Sequence, residues 1–406
     1  MKVSHFLLAS AILFSANKAL AQRKETVKDV PIAVTIFDKG TLSFTNKMNL
    51  NYTNFSSRVN RDPKDFSFQA DPSYFFIDGV AIGIDARTGS NSAKGVSPSS
   101  FSSWQTNLTA TYGRNINDKL NAYIKLLAGP GGSHNEFTNG NNVQKLKATY
   151  FGIKGLVGLP IALESNSAAF FTPYFSYDSY KTNTSSSSDF KEKTIVIGFK
   201  LESYLGKAQM TKGRQQEDLF KGAYLQGSHF LEFTTTGSLS FNKRQQYQNG
   251  SSATFGKQKN NTTNLAFGYH YYFMDNLAAG LNFSVNSRKS GYIGAPSSPS
   301  DKTSTLMITP VITAQAPLEG AGRNLFLQAS YGFGVYKAPK KNLTDLSVKA
   351  GYNLFLAKYL TLTPKIGYEH AKGTVPQGVS GISYVNSGLV VELGVRSWLN
   401  FWKWKK

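Results

Sequence analysis

The chain has 406 residues, of which 40% are hydrophobic, 13% aromatic and only 17% charged, a balance too rich in aromatics for a disordered chain. It contains no cysteine, which excludes a disulfide scaffold, a thiol nucleophile, a cysteine metal site and an acylated lipoprotein anchor. Its formal charge of +21 raises the question of nucleic acid, but the export signal and strand pattern below point away from that partner.

The first segment reads as a secretory signal peptide, residues 1–21. Lys2 supplies the basic start, Phe6 to Phe14 the short apolar core, and Ala19-Leu20-Ala21 the small-residue site, with cleavage expected between Ala21 and Gln22. The apolar run is far shorter than the ~20 residues needed for a membrane helix. Loss of Lys2 and Lys18 takes the formal charge from +21 to +19. Residues 22–40 are expected to be a periplasmic segment.

Beyond it the chain alternates with a period of two. From Leu265 the odd positions are Leu265, Phe267, Tyr269, Tyr271 and Phe273, with Ala266, Gly268, His270 and Tyr272 between them. Met274-Asp275-Asn276 turns, and Leu277, Ala279, Leu281, Phe283 and Val285 return. One face is apolar and the other small or polar, the pattern of a strand facing lipid on one side and a lumen on the other. Similar tight turns follow Tyr74-Phe75-Phe76-Ile77 at Asp78-Gly79, Tyr112-Gly113-Arg114 at Asn117-Asp118, and Tyr352 to Leu356 at Ala357-Lys358.

Strands are expected at 41–52, 66–76, 80–88, 104–114, 119–128, 146–157, 167–178 and 193–204. A second set is expected at 230–241, 262–273, 277–287, 305–316, 324–336, 344–355, 359–369 and 385–396. Tight turns alternate with Ser-, Asn-, Gly- and Lys-rich stretches near 53–65, 89–103, 129–145, 179–192, 242–261, 288–304, 337–343 and 370–384. That sorting fits short periplasmic turns and long outer loops. The two sets read as repeats, 41–204 and 230–396, because Phe66 to Arg87 lines up with Leu265 to Asn286. The charged run at 205–229 reads as a periplasmic linker, and 397–406 as an aromatic and basic tail in which Trp398, Trp402 and Trp404 form an interfacial belt with Lys403, Lys405 and Lys406.

No catalytic, cofactor or metal constellation emerges. His5, His134, His229, His270 and His370 lack metal-ligand spacing, and Glu369-His370 and His229 with Glu232 have no nucleophile in register. Gly129-Pro130-Gly131-Gly132 lacks the lysine and hydroxyl of a phosphate loop. The reading is therefore of a non-enzyme without cofactors. Arg58, Arg61, Lys64, Lys243, Arg244, Lys257, Lys259, Arg288, Lys289, Lys337, Lys340 and Lys341 fall in the expected outer loops. They are either a solvated surface or a set of cations for lipopolysaccharide phosphates or anionic solutes. Lys200, Glu202, Glu392 and Arg396 fit a channel lining or a buried ion-pair network equally.

Lys39-Gly40-Thr41-Leu42-Ser43-Phe44, Tyr74 to Gly79, and Tyr271 to Asn276 with Leu277 to Leu281 resemble the porin-family outer-membrane β-barrels of Gram-negative bacteria, as a tandem of small eight-stranded units. The resemblance implies an all-β, antiparallel up-and-down barrel of about 16 strands in the cell outer membrane. Its expected partners are outer-membrane lipid, lipopolysaccharide and the barrel-insertion machinery. A terminal aromatic is usual in such barrels, whereas this chain ends Trp402-Lys403-Trp404-Lys405-Lys406. A single barrel is favoured over two tandem eight-stranded ones. The expected function is a porin-like channel for small hydrophilic solutes, anionic ones among them; the alternative is a non-channel barrel displaying loops for adhesion or envelope stability.

Overall fold

The computed structural model describes residues 36–45, 49–57, 62–94, 98–117, 120–139, 142–163, 168–184, 188–206, 224–232, 236–248, 254–292, 301–317, 323–337, 340–357, 360–375 and 382–399. The expected signal peptide, most of the expected linker and the Trp402–Lys406 tail lie outside them. All regular structure is β-strand: β1 (Leu42–Thr45), β2 (Asn49–Ser57), β3 (Asp62–Ala70), β4 (Ser73–Ile77), β5 (Val80–Lys94), β6 (Ser99–Asn115), β7 (Asn121–Asn139), β8 (Asn142–Gly158), β9 (Ile161–Ala162) and β10 (Ala169–Thr184). The chain continues with β11 (Ser188–Leu205), β12 (His229–Leu231), β13 (Thr236–Gln248), β14 (Thr254–Met274), β15 (Leu277–Tyr292), β16 (Asp301–Pro317), β17 (Arg323–Lys337), β18 (Lys340–Ala357), β19 (Leu360–Val375) and β20 (Ile382–Leu399).

Sixteen of these close one antiparallel ring. Antiparallel pairing runs β2–β3–β5–β6–β7–β8–β10–β11 through the first half. It crosses to the second half at β11–β13 and continues β14 through β20. The ring shuts where β20 pairs with β2, from Leu50↔Leu393 to Ser57↔Asn386. Closure matters because an open sheet edge cannot be hydrogen-bonded in hydrocarbon.

The four short strands add a second closure at the end carrying the tight turns. There β11 leaves β13 and pairs with β1, Leu205 opposite Leu42 and Glu202 opposite Thr45. β1 also pairs with β4, and β4 with β5, so the first half shuts on itself as eight strand positions. In the second half β12 lies between β14 and β20, His229 opposite both Tyr271 and Leu399, and shuts that half the same way. The wall is thus one sixteen-strand ring at the loop end and two eight-strand rings, or legs, at the turn end.

Side-chain exposure follows this geometry. Outward residues are apolar and bare: Leu108 is 72% exposed, Ile82 60% and Ile312 58%, values no water-soluble core would leave. Burying one such side chain in lipid is worth about 1.5–3 kcal/mol. At the turn end, β11 from Lys200 to Leu205 and β20 from Gly394 to Trp398 are buried on both faces. One face looks into a leg, and the other packs leg against leg, where Phe44, Ala168 and Leu205 of the first half meet Leu360 and Val395 of the second.

The tight turns behave as their residues require. Gly79 takes φ +77° and Asn276 φ +61°, the left-handed conformation that glycine and asparagine tolerate. A Cβ on Gly79 would stand 2.8 Å from the Gly113 carbonyl oxygen, so the position needs glycine on steric grounds as well. Every expected strand has its counterpart, with turn ends within a few residues of expectation, but 41–52, 66–76 and 230–241 are each split in two, as β1 and β2, β3 and β4, and β12 and β13, because their turn ends take other partners at the fork. The loop ends run further: β7 and β8 extend to Asn139 and Asn142, through residues expected to form a long loop. Above the lipid band a strand has no reason to alternate in hydropathy, so the sequence loses its signal while the backbone ladder continues.

The absence of native cysteine makes the fork testable by engineered disulfides. Leu42→Cys with Leu205→Cys, and Asn54→Cys with Leu389→Cys, are both expected to cross-link in membranes under mild oxidation. Cross-linking of Asn54→Cys to Lys193→Cys instead, the continuation of the β1–β11 register, would show two fully separate barrels.

Candidate functional site: two filled legs below a shared lumen

The inward face of each strand decides what the barrel can hold. Toward the loop end it is polar and open. Ser284, Asn286 and Arg288 on β15 and Arg87 and Asn91 on β5 point inward and are exposed, whereas Ala278 and Ala81 nearer the turns are fully buried. A 340 Å³ cavity lies against this upper wall, lined by Ser67, Gln69, Arg87, Ser103, Gln105 and Tyr150 among others. Arg87 is held there by a bidentate pair with Asp85, both bonds 2.9 Å.

The first leg is filled around Glu202. Lys200 Nζ lies 2.7 Å from its Oε1, and the hydroxyls of Tyr123 and Tyr204 donate to its two oxygens at 2.9 and 3.3 Å. The Lys200 ammonium stands over the Tyr123 and Tyr174 rings at 5.7 and 5.5 Å. Asp71 accepts from the Thr45 amide and hydroxyl, both at 2.8 Å, and Lys154 pairs with Asp178 at 3.2 Å. Ile36, Phe37, Phe75 and Phe170 close the base. Among the described residues the acids Asp71, Asp85, Asp178 and Glu202 face the bases Lys125, Lys154 and Lys200, with Arg87 reaching Asp85 from the chamber wall.

The second leg is filled around Arg396, which is fully buried. Its Nη2 donates to Glu232 at 2.9 Å and to Gln328 at 3.3 Å, and its Nη1 to Asn353 at 3.2 Å. The guanidinium lies between the rings of Phe230 and Phe326, at 4.7 and 4.4 Å. Lys365 reaches the other oxygen of Glu232 at 3.4 Å, and Lys349 joins Glu392 at 2.8 Å and Glu369 at 3.6 Å. Three bases, Arg396, Lys349 and Lys365, thus face four acids, because Asp345 lies on the same face of β18 near Lys349, Glu369 and Glu392. Below them Trp398, Tyr272, Phe230, Tyr224 and Phe355 form an aromatic floor, with Trp398 Nε1 donating to Thr361 at 3.1 Å. His270 stacks on Phe230 at 4.2 Å. Gly280 makes the room: a Cβ there would come within 2.2 Å of the His270 ring.

These contacts settle several expectations. Lys200, Glu202, Glu392 and Arg396 belong to buried ion-pair networks and do not line open water. Trp398 is not part of an interfacial belt: it is 1% exposed on the floor of the second leg, because the strand continues past it to Leu399 and its position faces inward. Glu369 and His370 lie on opposite faces of β19, the first near Lys349 and the second bonded to Ser387. His229 bonds the Tyr269 hydroxyl, while Glu232 is committed to Arg396 and Lys365. Gly129 to Gly132 lie within β7. Of the cations assigned to outer loops, Arg58 and Arg61 lie outside the described residues and the other ten are on strands, with Arg244 turned inward over the Phe190 ring. Among the described residues no cluster of three or more His, Asp or Glu is arranged to hold a metal. The plug residues that sequence reasoning missed, Tyr123, His270, Tyr272 and Lys365, all sit at inward parity, which was their available signal.

The closed antiparallel wall, apolar outside and polar within, defines the class as a transmembrane β-barrel of the outer-membrane type. No family model and no curated protein matches the chain. Solved structures similar to it include the CymD monoaromatic hydrocarbon channel, 11% identical over 91% of each chain with TM-score 0.36. The toluene transporter TbuX of Ralstonia pickettii is 11% identical over 91% of this chain and 92% of its own, TM-score 0.33. The outer membrane protein OprD of Pseudomonas aeruginosa is 11% identical over 92% and 97%, TM-score 0.30.

Removing one partner of a buried ion pair strands the other, at a cost of about 3–5 kcal/mol. Glu232→Ala is therefore expected to lower the denaturant midpoint of the folded barrel in detergent strongly. Lys145→Gln, which removes an exposed pair with Glu136, should change stability by no more than about 1 kcal/mol.

Proposed function

We propose that the chain is an integral protein of the Gram-negative outer membrane, of channel-like architecture but standing closed. In this reading the working part is the loop end, a water-accessible chamber and its loops, and the two legs are stoppers that preserve the permeability barrier. The filling of both legs carries the reading: an eight-strand ring has room for its own side chains and little else. The chamber walls suit small hydrophilic molecules, and in the legs Lys154, Lys200, Lys349, Lys365 and Arg396 are each paired with an acid and so offer an anion no free cation to follow through them. Insertion by the barrel-assembly machinery and contact with outer-leaflet lipid belong to the same proposal.

A passive porin for small hydrophilic solutes is the second reading, favoured by the polar, exposed inner face at Asn91, Asn286 and Arg288. Conductance in planar bilayers separates the two. The mature protein, shown folded by its heat-modifiable mobility on a gel, is expected to give no large stable steps. Trp398→Ala with Tyr224→Ala, which empties the floor of the second leg, is expected to add small, frequent ones. Large steady conductance from the unaltered protein would overturn the closed reading and restore the porin.

A further inference from the structure

The outward face of one sector carries lysines in direct cross-strand opposition. Lys193 on β11 is paired in register with Lys243 on β13, and Lys243 with Lys259 on β14. On the next strand, two residues nearer the band because Lys259 is opposite Gly291, Lys289 of β15 is opposite Lys302 of β16. All five are exposed, and none makes an ion pair with a described residue. Directly opposed side chains have their Cβ atoms about 4.5–5.5 Å apart, where like charges destabilise a sheet. The acid on this face of β11, Asp189, lies four residues beyond Lys193, about 13 Å along the strand. A fold that needed only solubility would intersperse the signs.

The position of the row says what it faces. Lys193 stands two residues above Ile195, and Lys243 two residues above Phe241, each on the same outward face, and Ile195 and Phe241 are 40% and 45% exposed to the membrane side. On β11 and β13 the row therefore begins where the lipid-facing band stops, on the loop side of the wall; Ser287 and Ser304 stand between it and Val285 and Leu306 on β15 and β16, and Asn261 and Thr263 between Lys259 and Leu265 on β14. Five strands at about 4.8 Å spacing make it about 19 Å wide. We infer that this row, Lys193, Lys243, Lys259, Lys289 and Lys302, is a docking strip for the phosphate groups of a phosphorylated glycolipid of the outer leaflet. Its acyl chains would lie on Ile195, Ile197 and Phe241 while its phosphates neutralise the opposed lysines. Continuity with the lipid-facing band makes an anchored phosphate, rather than a free one, the ligand. The inference rests on the membrane placement above and not on whether the barrel conducts.

The sign of the stability change tests it. In a neutral detergent the strip is unneutralised, so Lys193→Gln/Lys243→Gln/Lys259→Gln is expected to melt at the same temperature as the unaltered protein or higher. Lys243→Glu, flanked by two lysines, should melt higher still. Adding bis-phosphorylated lipid A is expected to raise the melting temperature of the unaltered protein, and dephosphorylated lipid A or inorganic phosphate at the same concentration is not. The triple variant should bind lipid A at least fivefold more weakly, and a control, Lys64→Gln/Lys372→Gln, within twofold of normal. Equal lipid A affinity in the triple variant and the unaltered protein would overturn the strip. So would a lower melting temperature for both strip variants in neutral detergent, or equal stabilisation by free phosphate.

Discussion

The pairing of β20 with β2 is the constraint on which the rest of the molecule depends. Without it the sheet would end in two edges, each a column of unpaired amides and carbonyls in a solvent that offers no hydrogen bonds. Yet β20 also serves β12, and β11 serves both β13 and β1. The last strand of each half spends its loop-end residues closing the large ring and its turn-end residues closing its own leg. Everything else follows from that division. The wide wall can hold water, the narrow ones must be packed, and the faces of β11 and β20 that meet between the legs must be apolar.

The packing of the legs shows how a membrane barrel hides charge. Arg396 and Glu202 are each met by several partners of opposite charge or hydrogen-bonding groups. Close pairing shortens the field of each charge, while the rings of Phe230, Phe326, Tyr123 and Tyr174 occupy the spaces between. An isolated buried pair seldom adds stability over apolar packing. Here the pairs fill a lumen whose alternative is water, so the relevant comparison is with a leak.

How far the sequence could be read depended on which residues touch lipid. Where a strand crosses the apolar band, as at Leu265 to Phe273, alternation gave its extent, its facing and its turn. Above the band, at Ser133 to Thr138 or Gln258 to Asn261, both faces are at least partly exposed and the strands pass for loops. The fork left no local mark, because Glu202 and Leu393 look the same whichever neighbour they pair with; a choice between two partners far apart in sequence is not written in either strand. Trp398 was misplaced for a related reason. Its neighbours Trp402 and Lys403 made a plausible interfacial cluster, and only the closure of the second leg by β12 shows that position 398 faces inward. Alternation set His270 on the face opposite the apolar one, but that it, Glu232 and Lys365 meet across the leg depends on ring curvature, which composition does not carry.

The exchange of partners at the fork has a thermodynamic corollary. Wherever the fork sits, β11 and β20 each find one neighbour for every rung, so moving it along the strands would swap one set of backbone bonds for an equal set. The wall itself is therefore nearly indifferent to how far the legs are zipped. What fixes the height of the crotch is the cargo of side chains on either side of it, bulky and mutually satisfied below, small and hydrated above. The bore of this protein is in that sense set by its contents rather than by its strand count.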